Sequence, residues 1–153
     1  MQVLVAAVVT CAFPAGDAVA PVRGEVVARY SAPSCVRCAG RRGIIVITGE
    51  HTPVVATRRG RITFAGDVAG ALWVVQEVAP GVRVTYGRLA SIALGVAEGV
   101  ELPKGATVGE SSGRVHLGVR SGESYTDPLG CWARRARLVA VPESAVGALG
   151  RSR

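Results

Sequence analysis

From residue 20 onward the chain consists of short apolar or alternating runs cut by turn residues. In Arg83-Val84-Thr85-Tyr86 and Val115-His116-Leu117-Gly118-Val119-Arg120, apolar and other positions trade places every residue. That period of two belongs to a strand with one buried face. Candidate strands fall at 25–30, 43–48, 53–57, 60–65, 72–78, 83–89, 107–108 and 115–120. The intervening turns are marked by Gly49-Glu50, Arg59-Gly60, Gly66, Gly70, Pro80-Gly81, Pro103-Lys104-Gly105 and Ser121-Gly122. Strands this short between such turns predict an all-β domain of sandwich or barrel-like form. No segment of a dozen residues carries a helical period, which argues against a parallel α/β fold. The one helix-like stretch is 130–139, and a polar tail follows it.

Composition adds to this picture in two places. At 49% hydrophobic but only 5% aromatic, the core must be filled by Val, Ile, Leu and Ala, and β-branched valine favours strands. The formal net charge is +7, and Lys104 is the only lysine among 18 basic residues. The plain reading of so much arginine is a GC-rich coding sequence. The functional reading is attraction to an anionic polymer such as cell wall, lipid headgroups or nucleic acid. No nucleic-acid motif and no aromatic-plus-basic stripe is present, so nucleic acid is not an expected partner. The pairs Arg41-Arg42, Arg58-Arg59 and Arg134-Arg135 stand out locally.

The first thirteen residues are almost all apolar. Pro14-Ala15-Gly16 breaks the run and Ala18-Val19-Ala20 follows. A short apolar run, a breaker and an Ala-x-Ala site form a secretory leader pattern, although no basic residue precedes it. The run is too short to serve as a membrane anchor. The alternatives are a buried N-terminal strand or lipidation at Cys11, for which Thr10 is a poor preceding residue. The expected organisation is therefore a leader at 1–20, one β domain at 21–130, and a partly disordered C-terminal extension at 131–153, in a secreted or envelope protein.

With the leader removed, Cys35, Cys38 and Cys131 remain, one of them unpaired. Cys35-Val36-Arg37-Cys38 is a C-x-x-C pair. In an exported protein it reads first as a disulfide, within the pair or from one member to Cys131. A zinc site would need His116 or His51 as a further ligand. A thiol-redox site would need the motif to open a helix in a βαβ unit, and no helical period surrounds it.

Taken in order, these segments resemble the lysostaphin-type, or LytM-like, zinc metallopeptidases that cut peptidoglycan cross-bridges, in a degenerate form similar to short actinobacterial versions. The resemblance runs from Pro21 to about Leu129. It is carried by Pro21-Val22-Arg23-Gly24, Arg41-Arg42-Gly43-Ile44-Ile45, Thr52-Pro53-Val54-Val55-Ala56, Gly60-Arg61-Ile62-Thr63-Phe64-Ala65-Gly66, Thr85-Tyr86-Gly87-Arg88-Leu89, Arg114-Val115-His116-Leu117-Gly118-Val119-Arg120 and Asp127-Pro128. It implies the family's duplicated hybrid-motif β fold and a groove on the sheet.

The resemblance also implies a site, and most of that site is replaced. The family's metal ligands correspond to Arg41, Ile45 and His116, and its two assisting histidines to Arg88 and Arg114. Only His116 is retained. Arginine stays protonated and offers no lone pair, and Ile45 has no donor atom. The expectation is a non-catalytic module without a cofactor, zinc belonging to the alternative reading of an endopeptidase with unusual ligands. Arg41, Arg88 and Arg114 should gather at His116 and favour an anion, such as a stem-peptide carboxylate. Expected partners are peptidoglycan or an envelope protein. His51 is a substitute ligand or, more simply, an exposed loop residue; Trp73 and Trp132 read as packing residues.

Overall fold

The computed structural model describes residues 11–13 and 17–132. It contains β1 (Glu25–Ala28), β2 (Ile44–Val55), β3 (Gly60–Val68), β4 (Ala71–Ala79), β5 (Val82–Ile92), β6 (Glu101–Leu102), β7 (Thr107–Ser121), β8 (Ser124–Thr126) and a short helix α1 (Leu129–Trp132). The expected all-β class holds. All pairings are antiparallel, in the order β1-β2-β7-β5-β4-β3-β6, with β8 on the end of β7. The sheet is left open, with edges at β1 and β6.

Alternation decides which face is inside. Val82, Val84 and Tyr86 of β5, Val115, Leu117 and Val119 of β7, Val74 of β4, Ile62 of β3, and Ile44, Val46 and Val54 of β2 form the core. The residues between them point to the other face. Within the core lies one polar cluster, and every member has a partner. The Tyr86 hydroxyl donates to Gln76 Oε1 (2.9 Å) and accepts from the Thr57 amide (3.0 Å). Gln76 Nε2 donates to the Arg58 and Gly60 carbonyls (3.0 and 3.2 Å). Such a network fixes the entry into β3, because a buried amide or hydroxyl left unmatched is costly. Burial also raises the Tyr86 pKa far above its ordinary value.

Two long strands replace pairs of shorter ones. The turn expected at Gly49-Glu50 and the break between 108 and 115 are irregularities inside β2 and β7, not chain reversals. Register slips between Ile47 and Glu50 and between Glu50 and Pro53. Thr52 Oγ1 donates to the Gly49 carbonyl (2.7 Å), so a local turn is made without leaving the sheet.

Of the two cysteine bonds, the one within Cys35-Val36-Arg37-Cys38 is a pairing expected from the sequence and the other is not. Cys11, assigned to the removed leader, is bonded to Cys131, and Cys35 to Cys38. The physical reason is that residues on both sides of the 14–16 stretch lie on the β body. Phe13 is buried. Asp17 pairs with Arg58 and Lys104 (3.1 Å each). Val19 donates its amide to the Thr57 carbonyl (3.0 Å) and accepts from Thr57 Oγ1 (2.6 Å). A chain cut after Ala20 would lose Phe13 and one half of a disulfide. Of the helical stretch 130–139, the structure describes only the part within α1; the remainder, Arg134-Arg135 and the tail lie outside the described residues, as do 1–10. Among the described residues no helix is long and apolar enough to cross a membrane.

Candidate functional site

The outward face of the central strands carries a row of directly paired positions. Ile45 of β2 stands opposite His116 of β7, His116 opposite Gly87 of β5, and Gly87 opposite Trp73 of β4. Directly opposed residues share a face, so the row crosses four strands on the side away from the core. The Trp73 and His116 rings lie 5.3 Å apart at 54°, a tilted contact typical of aromatic pairs. Glycine makes room for both. A β-carbon at Gly87 would overlap the six-membered ring of Trp73, and one at Gly43 would come within 2.8 Å of His116 Cε1 and Nε2. Trp73, expected as a packing residue, is thus half-buried on the outer face, while Trp132 packs against the core.

His116 is held in its neutral form. Burial lowers its pKa, and the positive charge of Arg88 lowers it further. Arg88 itself is exposed and occupies a left-handed backbone conformation (φ 60°). It sits at a register break where Gly87 pairs with His116 but Leu89 pairs with Ser111. Its carbonyl accepts from Ser112 Oγ (2.8 Å). The same level of the sheet holds His51 (φ 58°) and Gly113 (φ 95°), so β2, β5 and β7 are all distorted just beyond His116.

The other residues singled out in the sequence divide. Arg114 is exposed and lies two positions from His116 on the same face of β7, opposite Ile47, roughly 7 Å along the strand. Arg41 is turned to the connection from β1, where its guanidinium donates to the Arg29 carbonyl (2.9 Å). His51 is exposed and its Nδ1 lies 3.0 Å from Glu110 Oε2. The disulfide-closed Cys35–Cys38 loop is bound by Arg42, which donates to the Val36 and Cys38 carbonyls (2.7 and 3.3 Å).

The zinc that the resemblance implies does not fit these residues. Such a site takes three or more N, O or S donors at about 2.0–2.3 Å. The positions flanking His116 across the sheet are Ile45 and Gly87, and both cysteine pairs are oxidised. Among the described residues no cluster of three His, Cys, Asp or Glu side chains is suited to a metal ion.

No family model and no curated protein matches the chain. Solved structures do. Helicobacter pylori Csd3 is 22% identical with a TM-score of 0.68, over 76% of this chain and 34% of that one. The chain thus spans about a third of Csd3. A chain of the SpoIIQ–SpoIIIAH pore forming complex is 18% identical with a TM-score of 0.63, over 88% of this chain and 98% of that one. The catalytic domain of the antimicrobial peptidase lysostaphin from Staphylococcus simulans is 18% identical with a TM-score of 0.57, over 69% and 90%. What survives at such identity is architecture, and the chain has the fold of the lysostaphin-type, LytM-like peptidases.

Proposed function

We propose that this chain is a non-catalytic binding module of that fold, acting at the cell envelope on a peptidoglycan or protein partner that presents carboxylates to Arg88 and Arg114 beside His116. The observation that carries the reading is the pairing of His116 with Ile45 across β2 and β7. The fold's metal site would need an oxygen donor there, and a branched alkyl group stands instead. Charge argues the same way. At about 7 Å and an effective dielectric constant of about 20, one guanidinium repels a divalent ion by roughly 5 kcal/mol. A carboxylate at the same place is attracted, and arginine offers it paired donors. Neutral His116 adds one donor and one acceptor without adding charge. Two disulfides suit an oxidising compartment, in keeping with export.

Two measurements test this. Purified protein exposed to zinc and dialysed should retain far less than one metal per chain; one tightly held zinc per chain, with cleavage of a bridge peptide, overturns the reading. Carboxylate-bearing muropeptides should bind saturably and lose affinity in the Arg88→Ala, Arg114→Ala double variant. Equal binding by wild type and double variant overturns the assignment of the ligand to this site.

A further inference from the structure

A second hollow on the outer face lies further along β7, away from His116 and its arginines. It has a volume of about 250 Å³ and is lined by Thr63, Phe64, Val75, Arg83, Thr85, Arg120 and Tyr125. Its floor is set by register. Glu77 of β4 faces Arg83 of β5, Arg83 faces Arg120 of β7, and Arg120 faces Tyr125 of β8. Two arginines are therefore direct cross-strand partners, an arrangement that costs stability because like charges oppose each other. Arg83 has partial relief from Glu77, at 3.7 Å. Arg120 has no carboxylate within 4.0 Å among the described residues; it lies over the Tyr125 ring at 6.0 Å. Arg42 reaches the same ring at 5.6 Å. Tyr125 is itself fixed, since its carbonyl accepts from the Tyr30 hydroxyl (2.9 Å).

We propose that this hollow is a binding site for a carboxylate on a short peptide-like stem, with Arg83 and Arg120 as its paired donors. Neither arginine, nor Tyr125, belongs to the groove around His116, so the inference goes beyond the function proposed above. The charge selects the ligand class. The charged side chains that line the hollow are the guanidinium groups of Arg83 and Arg120, which suit a carboxylate, and Glu77 at 3.7 Å from Arg83 offsets part of their charge, which disfavours a phosphate dianion. The shape selects the stem. A volume of this size holds about eight waters at roughly 30 Å³ each, more than a bare carboxylate fills. Phe64 and Val75 offer an apolar wall, Thr85 offers a hydroxyl to an amide, and Thr63, whose hydroxyl donates to the Val75 carbonyl (3.3 Å), can accept from an amide N–H. Bringing a carboxylate between Arg83 and Arg120 turns a repulsive pair into a bridged one.

The test is a titration of ¹⁵N-labelled protein with N-acetylalanine, with N-acetylalaninamide and inorganic phosphate as parallel arms, following the arginine Nε–H signals and the Tyr125 ring. N-acetylalanine should shift Arg83, Arg120 and Tyr125 saturably, and the amide should not. Arg120→Gln should weaken binding about tenfold, the loss expected for one charge-assisted hydrogen bond. Glu77→Gln, which removes the competing carboxylate, should tighten it. Phosphate binding more tightly than N-acetylalanine, equal shifts from the amide, or unchanged affinity in both variants would overturn the proposal. Shifts confined to Arg88 and Arg114 would do so too, and would leave the groove site standing.

Discussion

Replacing Arg88 separates two effects that coincide at this residue: a left-handed backbone and a charge beside His116. For an L-residue the left-handed conformation costs roughly 1–2 kcal/mol. Arg88→Ala keeps that cost and removes the guanidinium. Arg88→Gly removes both, but its more flexible unfolded chain takes back about 0.5–1 kcal/mol. The glycine variant should therefore be more stable than the alanine variant by about 0.5–1 kcal/mol. In a chain of this length that is a rise of about 1–4 °C in Tm, readable by urea and thermal denaturation side by side. The charge effect should be the same in both. His116 has its native pKa below the ordinary value of 6.5 through burial and Arg88, so the unfolded chain takes up the proton first. Stability then falls as pH drops from about 6.5 through the native pKa, and the loss is complete below it. Without the guanidinium the His116 pKa should rise in both variants, as followed by its Hε1 signal, and that pH-dependent loss should shrink. If the alanine variant is the more stable by about 0.5–1 kcal/mol, the backbone at 88 is not strained. If the His116 titration is unmoved in both, Arg88 does not face it.

Other perturbations probe the frame around the site. Tyr86→Phe strands Gln76 Oε1 and the Thr57 amide in the core, and should cost about 2–5 kcal/mol, a Tm loss of roughly 5–15 °C by calorimetry. Thr126 Oγ1 is buried with no partner among the described residues, so Thr126→Val should leave stability equal or raise it by about 1 kcal/mol in urea denaturation. The Cys11–Cys131 bond closes 120 residues and Cys35–Cys38 only 3; Cys131→Ser should therefore lower stability by about 4–5 kcal/mol on the loop-entropy account, and Cys35→Ser by much less.

How far the chain could be read from its residues alone depended on range. Strands announced themselves where alternation was strong, as in Val82–Ile92, because a period of two needs no knowledge of neighbours. The long strand Ile44–Val55 was read as broken because Gly49-Glu50 carries turn residues, and Thr107–Ser121 because its middle shows no apolar alternation; only pairing to a neighbouring strand keeps such a segment in a sheet. Glu101–Leu102 and Ser124–Thr126 are too short to show any period. At the site, residue identity sufficed to question a metal centre at Arg41, Ile45 and His116. Contacts between strands did not show. The Trp73–His116 stack, the glycine clearance beneath it, the strain at Arg88 and the Arg83–Arg120 pair all follow from register. The available signal for that last pair was that Arg83 and Arg120 each take a non-apolar position of an alternating run. The Cys11–Cys131 bond was not legible because a leader pattern is local, whereas that bond joins residues 120 positions apart.

The two faces of the sheet differ in how well their residues are matched, and the proposed function lies on the less well matched one. The inner face is internally consistent: its apolar residues are buried together and the Tyr86–Gln76–Thr57 cluster has its hydrogen bonds. The outer face gathers local costs that the fold offsets only in part. Arg88 is left-handed and Arg83 faces Arg120, while Gly43 and Gly87 only make room for the rings of His116 and Trp73. A folded chain tolerates such departures where something outside the fold makes use of them. A peptidase that had only lost its chemistry would keep the glycine floor as a relic, but it would gain nothing from opposed arginines. On the proposed reading an anionic ligand accounts for the arginines, since its charge turns their repulsion into attraction. The cleanest discriminator is therefore stability in the presence of the ligand: a bound carboxylate should raise Tm in proportion to the logarithm of its concentration once above its Kd, and should do so less in Arg88→Ala and Arg120→Gln than in the parent chain.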